Sequence, residues 1–345
     1  MGVKAVKIFF RGWFVLLGSL SLVLSIIISR AHHLDPGTHL WVQYTNTVAP
    51  LIIIFNFLLF INWLFRKKIW IIIPIVSLVI NYNHICMIIG MNFSESASPE
   101  LRENRLTVSS FNVNYFSYKR DINAPGVAKL MQENRVDLLA FQEFEPTVYF
   151  NVNELKGEFN FLPYSAINTD DKDIGMAIFS RYPIIRSGKI NFEESANGTL
   201  WADVNINGDT IRIINNHFQT TGYYSTYVMG VSNIVSAMAV NFRKRADQAR
   251  LIRSMIDTTR YPTVVCGDFN DTPLSFVYGT VLGKDLNDSF KSSKFQLGGT
   301  FFRTLGLLRI DYIFHTSNFT PVTFYNVPTS LSDHRPIFSV LEYKN

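Results

Sequence analysis

The sequence predicts two unlike parts, a helical membrane region over the first quarter of the 345-residue chain and an α+β domain over the rest. Apolar runs of membrane-spanning length are confined to the first 91 residues, short β-type runs ending in polar clusters recur after residue 105, and helical periodicity separates only some of those runs. The chain is 48% hydrophobic with mean hydropathy +0.13, too greasy for a purely soluble protein, and longer than one typical domain. Disorder and collagen-like repeats are excluded by the same composition.

Within the first part, the runs at residues 13–29, 48–65 and 69–91 each approach or reach the ~20 residues that a helix needs to cross ~30 Å of hydrocarbon. LIIIFNFLLFINWLF and IWIIIPIVSLVI show no polar face, so neither fits the surface of a soluble domain. Basic residues set the orientation: Lys4, Lys7 and Arg11 precede the first run, and Arg66, Lys67 and Lys68 fill the turn between the second and third. Both clusters, and the N-terminus, are expected in the cytoplasm. The loop at 30–47 and everything after Met91 are then expected on the outer side, periplasmic or extracellular. A basic segment followed by an apolar run also describes a cleaved signal peptide, but no small-x-small site precedes Arg30, and the later two spans keep the topology either way. Asn81, Asn83 and His84 in the third run are expected to hydrogen-bond between helices.

Charge divides with the parts. Residues 1–90 hold seven of the 32 Lys and Arg and one acid, Asp35, which leaves 25 Lys and Arg against 26 of the 27 Asp and Glu in the remainder. Cys86 and Cys266 lie far apart in apolar runs, which excludes a thiolate metal site and a disulfide scaffold.

Residues 92–105 are polar, contain Ser and Pro, and read as a linker; residues 106–345 suffice for one domain with a sizeable core. TVSSFNVN, VDLLAFQE, TIRIINNH, PTVVCGDFN, RIDYIFHT and SDHRPIFSVLEY read as strands. Helical spacing appears at 122–135, with Val127, Leu130, Met131 and Asn134 near one face, and at 244–258, with Ala249, Ile252 and Ile256 inward and an Arg-rich outer face. Asn112, Glu143, His217, Asp268, Asn270, Asp311, Asp333 and His334 follow or interrupt the apolar β-runs, so strands lying side by side would gather them. Carboxylates, amides and imidazoles without cysteine suit Mg2+ or Mn2+, and Mg2+ needs only one or two carboxylates beside water and substrate phosphate. His315 and Asp271 are read as structural.

The ordered set SSFNVN, AFQE, GMAIFSRYPI at 175–184, NNHF, GDFND, RIDYIF and SDHRPI resembles the endonuclease/exonuclease/phosphatase superfamily, the deoxyribonuclease I-like metal-dependent phosphohydrolases. Each piece alone is weak; their order and spacing carry the resemblance, which covers residues 106–343. It implies a four-layer α/β/β/α sandwich with the active site at one end. Glu143 would be the main metal ligand, with Asn112 beside it, and Asp333 would orient the metal–water network or the histidines. Asp268 would orient or deprotonate the attacking water, Asn270 would hold that geometry or bind a phosphate oxygen, and His334 would stabilise charge on the phosphoryl oxygens. Asp311 would fix an imidazole's tautomer and charge, and His217 would aid the leaving group or bind phosphate, adding positive charge.

The implied reaction is metal-dependent hydrolysis of a phosphodiester, nuclease-like, with a phospholipid or sphingomyelin phosphodiesterase, a phosphomonoesterase, or a catalytically silent binding protein as alternatives. The substrate is thus a nucleic acid or a phospholipid headgroup; no protein partner is inferable. A nuclease wants a basic surface, for which Arg181, Arg243, Lys244, Arg245 and Arg303 are candidates, though solvated faces account for them as well. Between His217 and Lys244, Tyr227, Val231, Ile234, Val235 and Met238 have helical spacing. That helix is expected in the core, with a place on the bilayer as the alternative.

Overall fold

A computed structural model describes residues 3–66, 68–92, 104–118, 123–146, 150–170, 173–222, 231–304 and 306–344. The apolar first quarter folds as α1 (Val3–Arg30), α2 (Leu40–Thr47), α3 (Ala49–Phe65), α4 (Ile72–Ile80) and α5 (Tyr82–Ile88). One helix, Phe9–His33, is by itself long and apolar enough to cross a membrane. The expected second and third spans map onto bent pairs, Leu40–Thr47 with Ala49–Phe65 at 57° and Ile69–Ile80 with Tyr82–Ile88 at 60°, and the count reaches three if each pair is one span. Asn81 sits at the second bend, where its Nδ2 donates to the carbonyls of Ser25 on α1 (3.1 Å) and Ser77 (3.0 Å), and its Oδ1 lies 3.1 Å from His84 Nδ1. The side chain thus joins two helices, as expected. The third apolar run does not stay helical to Met91: Ile89–Gly90 forms a strand, β1.

The chain continues through β2 (Arg105–Asn112), α6 (Ala124–Glu133), β3 (Leu138–Gln142), α7 (Val152–Glu158), β4 (Tyr164–Asn168), β5 (Met176–Ser180), β6 (Ile184–Asn191), β7 (Gly198–Ile206) and β8 (Asp209–His217). Then follow α8 (Val231–Thr258), β9 (Thr263–Asp268), α9 (Phe276–Leu282), β10 (Leu286–Asp288), β11 (Gln296–Leu297), β12 (Asp311–Thr316), β13 (Phe319–Asn326) and β14 (Ile337–Tyr343). One six-stranded sheet has the order β13-β14-β2-β3-β5-β4, the other β10-β12-β9-β8-β7-β6, and β1 pairs with β11. Each sheet holds one parallel pair, β2–β3 and β8–β9, joined across α6 and α8 respectively.

Strand alternation sorts the core into layers. Leu106, Val108, Leu138, Ala140, Ile211, Ile213, Val264 and Ile313 are buried between the sheets. The opposite faces of the same strands supply Phe111, Leu139 and Phe141 against α6 and α7, and Ile214, Val265 and Phe314 against α8 and α9. The result is the four-layer α/β/β/α sandwich that the motif set implies.

Two expectations change. The Arg-rich face of residues 244–258 is not all outer, because Arg245 is buried among ring and carbonyl partners. The helix expected in the core from the spacing of Val231 to Met238 is the first part of α8, and there Val235 and Val240 are 46% and 49% exposed while Ile234 and Met238 are half-buried. Tyr227 lies outside the described residues.

Candidate active site

The alternation that packs the inter-sheet core also builds the site. Inward positions run Leu106, Val108, Ser110, Asn112 on β2; Leu138, Ala140, Gln142 on β3; Ile211, Ile213, Asn215, His217 on β8; and Val264, Cys266, Asp268 on β9. Towards one end the apolar side chains give way to a polar layer. There Gln142 Nε2 donates to Ser110 Oγ (3.2 Å) and Asn215 Oδ1 (2.6 Å), and Asn215 Nδ2 donates to the carbonyls of Phe141 (2.8 Å) and Ala177 (3.2 Å). One further step along each strand come Asn112, His217 and Asp268, with Asp311 paired opposite Asp268.

Backbone conformation re-aims the strand ends. Glu143, directly after β3, and Asn270, two residues after Asp268, both adopt left-handed φ, 55° and 51°. For side-chain-bearing residues this costs on the order of 1 kcal/mol, and such strain is characteristic of functional positions. Gly267 has φ 129°, and a Cβ there would collide with the backbone of Asn216 on the neighbouring strand.

Asn112 stands at the centre. Its Nδ2 donates to Glu143 Oε1 (3.0 Å) and Asp268 Oδ2 (3.1 Å), and its Oδ1 accepts the Asn114 N–H (3.1 Å). Asp268 Oδ1 accepts the Asn270 N–H at 2.8 Å, while Asn270 Nδ2 donates to the Phe218 carbonyl (3.0 Å) and Asp268 Oδ2 (3.3 Å). His334 Nδ1 lies 3.0 Å from Asp311 Oδ2, and its Nε2 lies 3.7 Å from Asp268 Oδ2. His217 Nε2 is 3.8 Å from both Glu143 Oε1 and Asp268 Oδ2. Seven of the eight predicted side chains therefore meet directly. Asp333 stands one step out, accepting from Asn114 Nδ2 (2.7 Å) and Arg303 Nε (2.8 Å).

Burial and charge separate the two histidines. Burial alone would lower the His334 pKa, but the carboxylates of Asp311 and Asp268 overcome this and push it up to about 10, so the imidazole is cationic at neutral pH. His217 is lowered to about 3, first by burial and then by the charge on His334, and is neutral. The positive charge expected of His217 is therefore opposed by its setting. Burial, reinforced by Asp311 and offset by His334, raises Asp268 to about 7, near the range suited to a general base. Glu143 is also raised by burial, against the Asn112 hydrogen bond and the charge of His334.

Ligand atoms of Asp268, Asp311 and His334 lie within 4.8 Å of one another, a buried group able to hold a metal ion. The hydrogen bond between His334 and Asp311 accounts for much of that closeness. Glu143 offers a second, carboxylate donor; the Asn112 atom facing it is Nδ2, so an Asn112 oxygen would reach an ion there only with the amide turned over. Among the described residues Glu143 makes no ion pair with Lys or Arg, and its side chain stays 17% exposed, so a hard cation fits both its charge and its access.

Several contributors were missed in the sequence. Asn114 could have been found, since it lies two residues beyond Asn112 in FNVN. Ser332, whose Oγ donates to the Asn112 carbonyl (2.7 Å) and accepts the His334 N–H (3.2 Å), opens the SDHRPI motif and could also have been found; Phe301, whose ring lies 4.9 Å from the His334 imidazole, carries no sequence signal. Of the two residues read as structural, Asp271 accepts from Arg245 Nε (3.1 Å), and His315 Nδ1 lies 2.9 Å from the Thr316 carbonyl.

A two-sheet sandwich gathering carboxylates, amides and a His–Asp pair at one end defines the class of protein. Residues 109–334, about two thirds of the chain, match the model of the Endonuclease/Exonuclease/phosphatase family, and the chain belongs to that family. Residues 8–87 match a second family model, described as a domain of unknown function. Among solved structures, an endonuclease/exonuclease/phosphatase from Bacteroides vulgatus is similar, with 18% identity and TM-score 0.52, over 70% of this chain and 99% of that one. A humanized D. rerio TDP2 has 19% identity and TM-score 0.54 over 69% and 99%. The human Nocturnin catalytic domain with bound sulfate has 16% and 0.52 over 71% and 96%. These likenesses show the shared fold. No curated protein matches the chain.

Proposed function

We propose that the protein is a membrane-anchored, divalent-metal-dependent phosphoesterase that hydrolyses a phosphodiester by in-line attack of an activated water. What supports this best is the convergence of Glu143, Asp268 and His334, from three separated stretches of chain, around one end of the inter-sheet space. In-line phosphoryl transfer needs positioning and charge neutralisation more than covalent help.

In this reading Asp268, held by the Asn270 N–H, accepts the proton of the attacking water. His334, kept cationic by Asp311, donates from Nε2 to the phosphoryl oxygens. Neutral His217 contributes an N–H to a phosphoryl or leaving oxygen. Glu143 and Asn112 would hold Mg2+ or Mn2+, with Asp333 orienting from one step out; when bound, the ion neutralises charge on the phosphoryl oxygens.

The chain is read as a membrane region over 1–91, a linker over 92–105 and a catalytic domain over 106–345, with the N-terminus cytoplasmic and the catalytic domain outside. Contacts between the loop at 30–47 and the catalytic domain support that topology, because both must then lie on one side. The test is a panel of phosphate esters offered to the full chain with and without Mg2+ or Mn2+. Asp268→Ala is expected to lower kcat by roughly 10²–10⁴ with little change in KM, as for loss of a general base. A pure rise in KM refutes its role, and no turnover of any ester would favour a silent binding protein.

A further inference from the structure

We infer, building on the phosphoesterase reading above, that the catalytic end of the sandwich faces the bilayer and that its phosphate ester is carried by a lipid of that membrane. Depth in the membrane region follows from chain direction. α1 leaves the membrane near Arg30 and α3 returns to it from Ala49, so Ile28 and Ile52 lie deeper than His32. Both α8 and α9 follow strands that end at catalytic residues, His217 and Asp268, so each begins at the catalytic end and runs away from it.

On α9, Leu274, just before the helix, packs with Ile28, Ala49, Ile52 and Ile88, and its carbonyl accepts Asn46 Nδ2 at 3.0 Å. Farther along, Gly279 lies so close to His32 that a Cβ on it would stand 3.0 Å from the His32 Cβ. On α8, the Val235 carbonyl accepts the Tyr44 hydroxyl at 2.7 Å, whereas Arg250, several turns later, pairs with Asp35. Along α9 the part nearer the catalytic residues makes the deeper contact, and α8 meets the same outer loop at both Val235 and Arg250.

A third connection agrees. The Gly298 N–H donates to the Ile88 carbonyl at the end of α5 (2.8 Å), and two residues later the Thr300 hydroxyl accepts the N–H groups of Ile310 (3.1 Å) and Asp311 (3.3 Å). Asp311 is thus tied through a short loop to the last membrane-region helix. Beside this junction, where β1 pairs with β11, Phe295 and Leu297 are 73% and 57% exposed. Large apolar side chains at the outer end of a span suit the interfacial layer of the bilayer that the chain crosses.

A lipid phosphate lies in that headgroup layer, whereas a nucleic acid would have to pass between the site and the membrane. Four of the five residues considered for a nucleic-acid surface are instead ion-paired: Arg181 to Asp137, Lys244 to Glu194, Arg245 to Asp271 and Arg303 to Asp333.

Orientation is tested without catalysis. Phe295→Cys and Ile185→Cys, each in a Cys86→Ser chain, are labelled with an environment-sensitive fluorophore, and the full chain is reconstituted into phosphatidylethanolamine–phosphatidylglycerol nanodiscs containing spin-labelled lipid. Ile185 is 56% exposed and begins β6 at the end opposite His217. Fluorescence is expected to be lost at Phe295→Cys and kept at Ile185→Cys; equal or reversed quenching overturns the orientation. The unlabelled Cys86→Ser chain is then offered vesicles of phosphatidylcholine, phosphatidylethanolamine, phosphatidylglycerol and phosphatidic acid, duplex DNA, and soluble bis(4-nitrophenyl) phosphate, each with Mg2+. Release of water-soluble phosphate, phosphorylated headgroup or free headgroup alcohol from the vesicles is expected. Hydrolysis of the soluble ester or DNA without lipid turnover overturns the lipid assignment alone, and loss of all three activities ends the phosphoesterase reading with it.

Discussion

Replacing Asp311 by Asn tests the charge state of His334. Asp311 Oδ2 lies 3.0 Å from His334 Nδ1, both side chains are buried, and the pair sits with Asp268 in a setting that holds the imidazole at about 10 against the lowering effect of burial. Two unit charges at this separation interact by about 5 kcal/mol at an effective dielectric near 20, which is three to four pKa units. Burial works against this and Asp268 adds to it, and the imidazole ends at about 10, above the ordinary 6.5. Asparagine keeps the shape and an acceptor but not the charge, so His334 should fall back to roughly 7. A group that works protonated loses its function as pH rises through its pKa. The wild-type kcat on bis(4-nitrophenyl) phosphate should hold to about pH 9, whereas the Asp311→Asn profile should decline through about pH 7, leaving ~3% protonated imidazole near pH 8.5. The measurement is kcat against pH at saturating Mg2+. A uniform fall in rate with the alkaline limb unmoved would mean that Asp311 only positions the ring.

Glu143→Gln removes the charge of the assigned ligand without changing its shape. The Mg2+ concentration for half-maximal activity should rise by at least the roughly 10–100-fold seen when a supporting partner is lost, with circular dichroism unchanged; an unaltered titration contradicts the assignment. Arg245→Met keeps the volume of a buried guanidinium that donates to Asp271, the Gln219 carbonyl and Thr221, and so strands Asp271 without its partner. A loss of about 3–5 kcal/mol should appear as a lower thermal midpoint, partly recovered in the double variant with Asp271→Leu. Asp203 accepts from Arg212 (2.7 Å) and Arg186 (2.5 Å), and although burial raises its pKa, these guanidinium groups hold it below the ordinary carboxylate range. Its contribution is full above the unfolded pKa of about 3.9 and is lost as pH falls through the lower folded value, so Asp203→Asn should destabilise at pH 7 and progressively less in acid, read by urea unfolding.

Much of the site was legible because Asn112, Glu143, His217 and Asp268 end or directly follow strands whose pattern is strong. VDLLAFQE and PTVVCGDFN announce both the strand and its polar end; period two fixes the face of Asp268, whereas Glu143 is brought into the site by its left-handed backbone. Asn112, His217 and Asp268 share the inward parity of Leu106, Ile213 and Val264, so core and site follow from one alternation. What stayed hidden is set by tertiary position. Nothing in RKRADQAR separates the buried Arg245 from the exposed Arg243 and Arg250, since the difference arises from the loops at Gln219 and Asp271 folding over one turn of α8. The charge of His217 was misread for a related reason. Its sequence shows an imidazole, but not that His334, with two carboxylates close by, takes the single favourable proton.

The junction between the apolar first quarter and the α/β/β/α sandwich bears on which part of the chain can act alone. Its polar contacts, such as Arg250 with Asp35, are partly exposed, and ion pairs of that kind contribute about 0–1 kcal/mol. The apolar contacts are of another order. Leu274 is fully buried against Ile28 and Ala49, and Met87 packs against the cluster of Val277, Val281 and Tyr278 beneath the second sheet. Burying a leucine contributes ~1.5–3 kcal/mol, so the docked state is held mainly by these side chains. Removing residues 1–91 would expose Leu274 a few residues from Asp268 and take away the Ile88 carbonyl that anchors the loop to Asp311. The apolar first quarter and the polar end of the sandwich are therefore one structural unit, and the geometry of His334 and Asp311 belongs to the full chain.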